Sequence, residues 1–190
     1  MRNPRLAPVA GLLVAVARMA APCLAQSTRA AVPSEERARH AVTVNLLPLA
    51  HGGWSGAYAA AIGGRATLGV SATYLGEHYY RLFEESGTRT GRDLFVDLNL
   101  HSYLESQPFR GPALVLHVGA YSERTWIDRR GRLGWVTAPT LGLSVEYMAG
   151  GGRRGDLVIV GGLGLKTVLG RGSVEGEPFP LFNLSAGFLF

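Results

Sequence analysis

Between Arg65 and Tyr74 the chain reads RATLGVSATY, in which Ala66, Leu68, Val70, Ala72 and Tyr74 alternate with Thr67, Gly69, Ser71 and Thr73. A period of two sends successive side chains to opposite faces, so this run is a strand with one apolar and one polar side. The pattern recurs along the chain. Leu94, Val96, Leu98 and Leu100 stand against Phe95, Asp97, Asn99, His101 and Tyr103. Within Pro112 to Trp126, Leu114, Leu116, Val118 and Ala120 oppose Val115, His117, Gly119, Tyr121 and Glu123. Trp135 to Tyr147 sets Leu141, Leu143, Val145 and Tyr147 against Thr140, Gly142, Ser144 and Glu146. Leu157 to Thr167 sets Leu157, Ile159, Leu163 and Leu165 against Gly162, Gly164 and Lys166, and Pro180 to Phe190 closes the series. Two less regular runs, Val42 to Pro48 and Trp54 to Ile62, come first, and Gly63-Gly64 after them reads as a hairpin turn.

Eight such runs, each near the ~9–11 residues a tilted membrane strand needs and none with helical period, predict one architecture. It is an all-β, eight-stranded antiparallel up-and-down transmembrane β-barrel over residues 42–190. With the N-terminus on the periplasmic side, the longest connections, 77–91 and 169–179, fall on the outer side. Connections 63–64, 105–111 and 149–155 fall on the inner side and are shorter. The composition agrees: 26 glycines and only 17% charged residues suit strands and turns better than helices.

Residues 1–25 read as a secretory signal peptide. Arg2 and Arg5 form its basic start, Leu6 to Ala17 its apolar core, and Cys23-Leu24-Ala25 a small-residue end that predicts cleavage before Gln26. Residues 26–41 carry no period and are expected to be a flexible lead-in. The leader takes three of the 19 basic residues, leaving sixteen against 14 acids, so no basic surface remains to favour nucleic acid. Cys23, the single cysteine, lies in the leader, which excludes disulfide frameworks, iron–sulfur clusters and cysteine-held zinc from the rest. No cofactor is expected.

Alternation alone leaves open which face is outside. A secreted soluble lipocalin-like barrel, apolar within, carries the same pattern, and Gly52-Gly53-Trp54 fits the short Gly-x-Trp motif of that class. Tyr74, Trp126, Trp135 and Tyr147 near the strand ends favour the membrane, because amphipathic rings gather at membrane–water interfaces. The final run adds a motif: Phe182, Leu184, Ala186, Phe188 and Phe190 are in phase, with an aromatic at the last position and another two before it. This ending resembles the assembly signal of bacterial outer-membrane β-barrel proteins. Together with the leader and the eight runs, the chain resembles a small outer-membrane barrel of the OmpA/OmpX size class. The resemblance implies an outer-membrane location among outer-membrane lipids. It also implies delivery by periplasmic chaperones, insertion by the barrel-assembly machinery, and a monomer.

An inward polar face would gather Asp97, His101, His117, Glu123, Glu146 and Lys166 into a polar network filling the lumen. Asp97, Glu123 and Lys166 lie toward the outer side, while His101 and Glu146 lie toward the periplasm. A buried charge must be paired, so Lys166 is expected to meet Asp97 or Glu123. Small residues on the third strand (Thr67, Gly69, Ser71, Thr73) are expected to balance the bulk of Phe95, His101 and Tyr103. His101-Ser102 does not form a hydrolase pair, because adjacent strand residues point to opposite faces. A metal site from His101, His117 and Glu146 would need three strands in register and is not expected. The expected protein is therefore not an enzyme but structural, adhesive or ligand- or lipid-binding through its outer loops, notably 77–91 and Asp128 to Arg132. A narrow pore for small solutes is the alternative within the same fold.

Overall fold

The computed structural model describes residues 36–50, 52–75, 93–126, 133–169 and 178–190. The leader and the outer-loop residues 77–91 and 128–132 lie outside the described residues. Eight antiparallel strands follow one another: β1 (His40–Asn45), β2 (Trp54–Ala61), β3 (Ala66–Leu75), β4 (Asp93–Tyr103), β5 (Gly111–Trp126), β6 (Leu133–Ala149), β7 (Leu157–Val168) and β8 (Phe179–Leu189). Each pairs with its sequence neighbour and β8 pairs back onto β1, so the sheet closes into an up-and-down barrel. This is the expected fold class.

The strand limits differ from the sequence reading in three places. First, β1 starts at His40, and Ala38 before it is buried, its amide donating to Gly152 O at 3.0 Å. Residues expected to be a loose lead-in thus already pack on the barrel's inner end. Second, β1 stops at Asn45 rather than Pro48, because Leu46–Ala50 forms a short helix, α1. Asn45 Oδ1 accepts from Leu47 N at 3.1 Å, an N-cap contact, and Pro48 suits a first helical turn, where its missing N–H has no partner to lose. Third, β6 runs two residues past the expected Trp135–Tyr147 at each end, while β5 matches Pro112–Trp126 to within one residue; at 17 and 16 residues both are longer than a membrane span needs. The outward residues of that hairpin change character where it lengthens: Ser122 Oγ and Thr137 Oγ1 lie 2.9 Å apart on the outer surface.

Closure rests on the β1–β8 ladder. Its register runs from Ala41 opposite Leu189 to Asn45 opposite Ser185. His40 N donates to Phe190 O at 2.8 Å, and Phe190 N returns a bond to His40 O at 2.9 Å. The Phe190 ring stacks on His40 with centroids 5.5 Å apart, and His40 Nδ1 also meets Tyr58 OH at 2.7 Å. Gly187 is required in this seam: a Cβ there would sit 1.9 Å from Val42 O and 2.8 Å from Thr43 Cα. Backbone atoms cannot yield as a flexible side chain would. Gly187→Val is therefore expected to block closure and collapse the yield of refolded barrel, read as loss of the heat-modifiable gel band. Ala186→Val, on the outward face one residue earlier, is expected to refold as the parent does.

Candidate functional site: the barrel lumen

The two faces of the wall have opposite chemistry. Leu98, Leu143 and Val145 point outward and are 55%, 52% and 53% exposed, joined by Val70, Leu100, Leu116, Val118, Leu141, Ile159 and Leu165. Leu184, Phe188 and Phe190 of the final run are exposed on this same face, with Ala186; Phe182 is half-buried. Trp54 stacks on Tyr74 at 6.3 Å near the outer end and Trp135 is exposed there, while Tyr58, Phe188 and Phe190 mark the inner half. Only the backbone of Trp126 is described.

Inside, the lumen is layered. At the inner end Tyr103, Phe109, Ala113, Met148, Val158, Val160 and Leu189 form a buried apolar plug together with Ala38 and Ala41. Phe109, in the β4–β5 connection, is fully buried at φ 60°. That left-handed conformation costs a non-glycine residue about 1–3 kcal/mol, and full burial of the ring returns about as much. The β4–β5 turn thus folds back into the barrel mouth. Tyr103 OH donates to Met148 Sδ at 3.3 Å beside it. Near the outer end, Leu75, Phe95, Tyr121, Ala138 and Val168 form a second apolar cluster, against which Phe179 packs.

The polar layer lies between. Lys166 Nζ donates to Asp97 Oδ2 at 2.6 Å, with both side chains almost wholly buried. Thr140 Oγ1 donates to Asp97 Oδ1 at 3.3 Å, and the ammonium also lies 5.1 Å from the Phe95 ring centroid. Asp97, not Glu123, is thus the partner of Lys166. Glu123 sits further out, opposite Asp93 in the β4–β5 register, and Tyr121 OH lies within 3.0 Å of both carboxylates. His117 links three strands: its Nδ1 is 2.8 Å from Asn99 Oδ1 and its Nε2 is 2.7 Å from Ser144 Oγ. Asn99 Oδ1 can only accept, so in neutral His117 Nδ1 carries the proton and Ser144 donates to Nε2. Asn99 Nδ2 passes the chain on to Ser71 Oγ at 2.8 Å. His101 Nε2 lies 3.5 Å from Glu146 Oε2, and Asn183 Nδ2 donates to Glu146 Oε1 at 2.9 Å. His101, His117 and Glu146 therefore do not converge, since both nitrogens of His117 face Asn99 and Ser144.

These contacts also divide the lumen. β4 and β8 are opposite one another in a ring of eight, yet the Phe95 and Phe179 rings approach to 5.7 Å. With Lys166 on Asp97 they make a partition across the barrel. On the β5–β6 side, His117, Tyr121, Thr140 and Ser144 fill the space. β1, β2 and β3 present mostly small inward residues such as Thr43, Ser55, Ala57, Ala59, Gly69 and Ser71, and a cavity of about 410 Å³ remains, bordered from the β5–β6 side by His117, Tyr121, Ser144 and Glu146. The expected balance of volume across strands fails because Thr67, Gly69, Ser71 and Thr73 lie beside His101, Asn99, Asp97 and Phe95 in the ladder, not across the lumen from them.

Sequence reasoning missed the plug residue Phe109, the partition and the cavity. Phe109 had a signal, a lone aromatic among the turn residues of 104–110, whereas the partition depends on which strands lie opposite and needs the closed ring.

No protein-family model matches the sequence, and no curated protein matches it. Among solved structures, the chain is similar to the N-terminal β-barrel domain of Pseudomonas aeruginosa OprF, with 10% identity, a TM-score of 0.46, and coverage of 82% of this chain and 99% of that one. Nothing about this chain's residues is carried over from that domain.

Removing one member of a buried ion pair strands the other charge, at a typical cost of ~3–5 kcal/mol. Lys166→Met is expected to lower the unfolding free energy of the refolded barrel, read from its urea transition, by an amount in that range. The double variant Lys166→Met with Asp97→Leu should recover much of the loss. A loss in the double variant equal to the sum of the Lys166→Met and Asp97→Leu losses would show that the two side chains are not coupled.

Proposed function

We propose that this chain is an integral outer-membrane β-barrel protein, exported through its leader and assembled by way of the Phe182–Phe190 run. The observation that carries the reading is the direction of the faces. Apolar side chains cover the outer surface all round the barrel, whereas charges and amides are held inside. Soluble monomers rarely expose a contiguous apolar patch beyond ~300–600 Å². A lipocalin-like barrel would have the reverse arrangement. The height of the outer band supports the reading too. On β6, outward residues are apolar from Pro139 to Tyr147, which at ~3.3 Å per residue and a tilt of about 40° spans ~20 Å, near the ~25 Å of known outer-membrane barrels. The Ser122–Thr137 hydroxyl pair lies just beyond it, where the surface meets water.

On this reading the role is structural, adhesive or ligand-binding and not catalytic: Lys166 is engaged by Asp97, Glu146 by His101 and Asn183, and His117 by Asn99 and Ser144. The inner plug also speaks against a pore for solutes. Biogenesis would involve periplasmic chaperones and the barrel-assembly machinery, and the protein would act as a monomer.

Leu98→Arg separates the membrane and soluble readings. At mid-bilayer an outward arginine costs about 2–4 kcal/mol, while on a water-facing surface replacing an exposed leucine is close to neutral. The variant is expected to lose that much stability in vesicles and to reach the outer membrane in lower yield. Unchanged stability together with a salt-washable, detergent-independent product would contradict the proposal.

A further inference from the structure

We propose that the lumen cavity, bordered on one side by the small inward residues of β1, β2 and β3, binds one unbranched single-chain amphiphile of the fatty-acid type, tail inward. The inference rests on the membrane reading above, which surrounds the barrel with such molecules, and adds a binding site to it.

Length, width and chemistry all point to this occupant. Gly69, Ser71, Thr73 and Leu75 line the cavity in four successive inward positions of β3. Three steps of two residues at ~6.7 Å, tilted by about 40°, give an axial length of ~15 Å. A chain advancing ~1.2 Å per bond fills that length with about twelve bonds. An eight-stranded barrel is only wide enough for its side chains or one small ligand, so the cavity admits a single chain beside the Phe95 and Phe179 rings.

Several polar groups in the cavity wall pair with one another. Ser55 Oγ and Thr73 Oγ1 meet at 2.7 Å, Ser71 takes the amide of Asn99, and Asp97 holds Lys166. A water file needs two to four polar partners per molecule; these paired groups offer few, His101 Nδ1 being a buried nitrogen without a partner among the described residues. What remains is alkyl and ring surface from Ala57, Ala59, Leu47, Pro48 and Phe179, which an apolar chain satisfies. The inner plug at Met148 and Val160 closes the deep end, so the tail stops there. The head group then lies toward Asn45 and α1, at the outer end.

The test uses the full barrel inserted into detergent-free phospholipid vesicles by dilution from urea, with radiolabelled dodecanoate as probe. Flotation with the vesicles first reports insertion. If the chain does not float, the membrane reading fails and takes this inference with it. For the inserted barrel, uptake above that of protein-free vesicles is expected to saturate near one dodecanoate per chain. Ala57→Phe, which fills the cavity from β2, is expected to weaken uptake at least tenfold. Ala60→Phe, on the outward face of the same strand, should leave it unchanged. Should Ala57→Phe fail to insert, Ser71→Leu fills the same space with less bulk and is read in the same way. Uptake equal to that of protein-free vesicles, uptake retained in the filled variant, or equal loss in the inward and outward variants would each overturn the site while leaving the membrane reading standing.

Discussion

The β1–β8 ladder is the contact on which every other feature depends. A sheet of eight strands has two edges, and each edge presents a row of unpaired backbone groups. Pairing the first strand with the last removes both edges, and only then does one face become an interior. The seam is short, from Ala41–Leu189 to Asn45–Ser185, and it is reinforced at its inner end by the Phe190–His40 exchange and the stacked rings. Gly187 brings the two backbones into register where any side chain would separate them. The outward residues of β8 that resemble an assembly signal are thus part of the strand that completes the ring.

Closure fixes which side chains meet. Lys166 and Asp97 are 69 residues apart in sequence, and Phe95 and Phe179 come from opposite walls. The interior is ordered by height: an apolar plug held by Phe109, a polar layer in which donors and acceptors from β3, β4, β5 and β6 are linked through His117, then an aromatic layer. In a low-dielectric interior such a network stabilises only when its members satisfy one another, and the pairing of Lys166 with Asp97 meets that demand. The same arrangement leaves small residues along β1, β2 and β3, so packing beside them is incomplete and a cavity remains.

Much of this was legible in the sequence because the signal is local. A period of two needs no knowledge of neighbours, and the phase of each run identified the inward faces of β3 to β8 before any pairing was known. Direction along each strand then brought Lys166 near the heights of Asp97 and Glu123, but choosing between them required the ring, since both lie on neighbouring strands of the same wall. The end of β1 was hidden because Leu46-Leu47-Pro48 continues an apolar run while Asn45 caps a helix. The length of β5 was legible to within one residue, whereas β6 extends two residues past its alternating run at each end. Phe109 and the cavity were least legible, for both depend on volumes brought together by closure and not on any spacing along the chain.

The central claim is that the apolar outer face lies in hydrocarbon and the polar face does not. Methyl-resolved NMR of the barrel in phospholipid nanodiscs tests it most directly, using a nitroxide at the lipid chain end and, separately, a water-soluble gadolinium chelate. Methyl signals of Leu98, Val118, Leu143 and Leu165 are expected to broaden with the lipid nitroxide and to be spared by the chelate, while Val115 and Val158 inside are spared by both. Broadening of the outward leucines by the chelate, without effect from the lipid probe, would contradict the account.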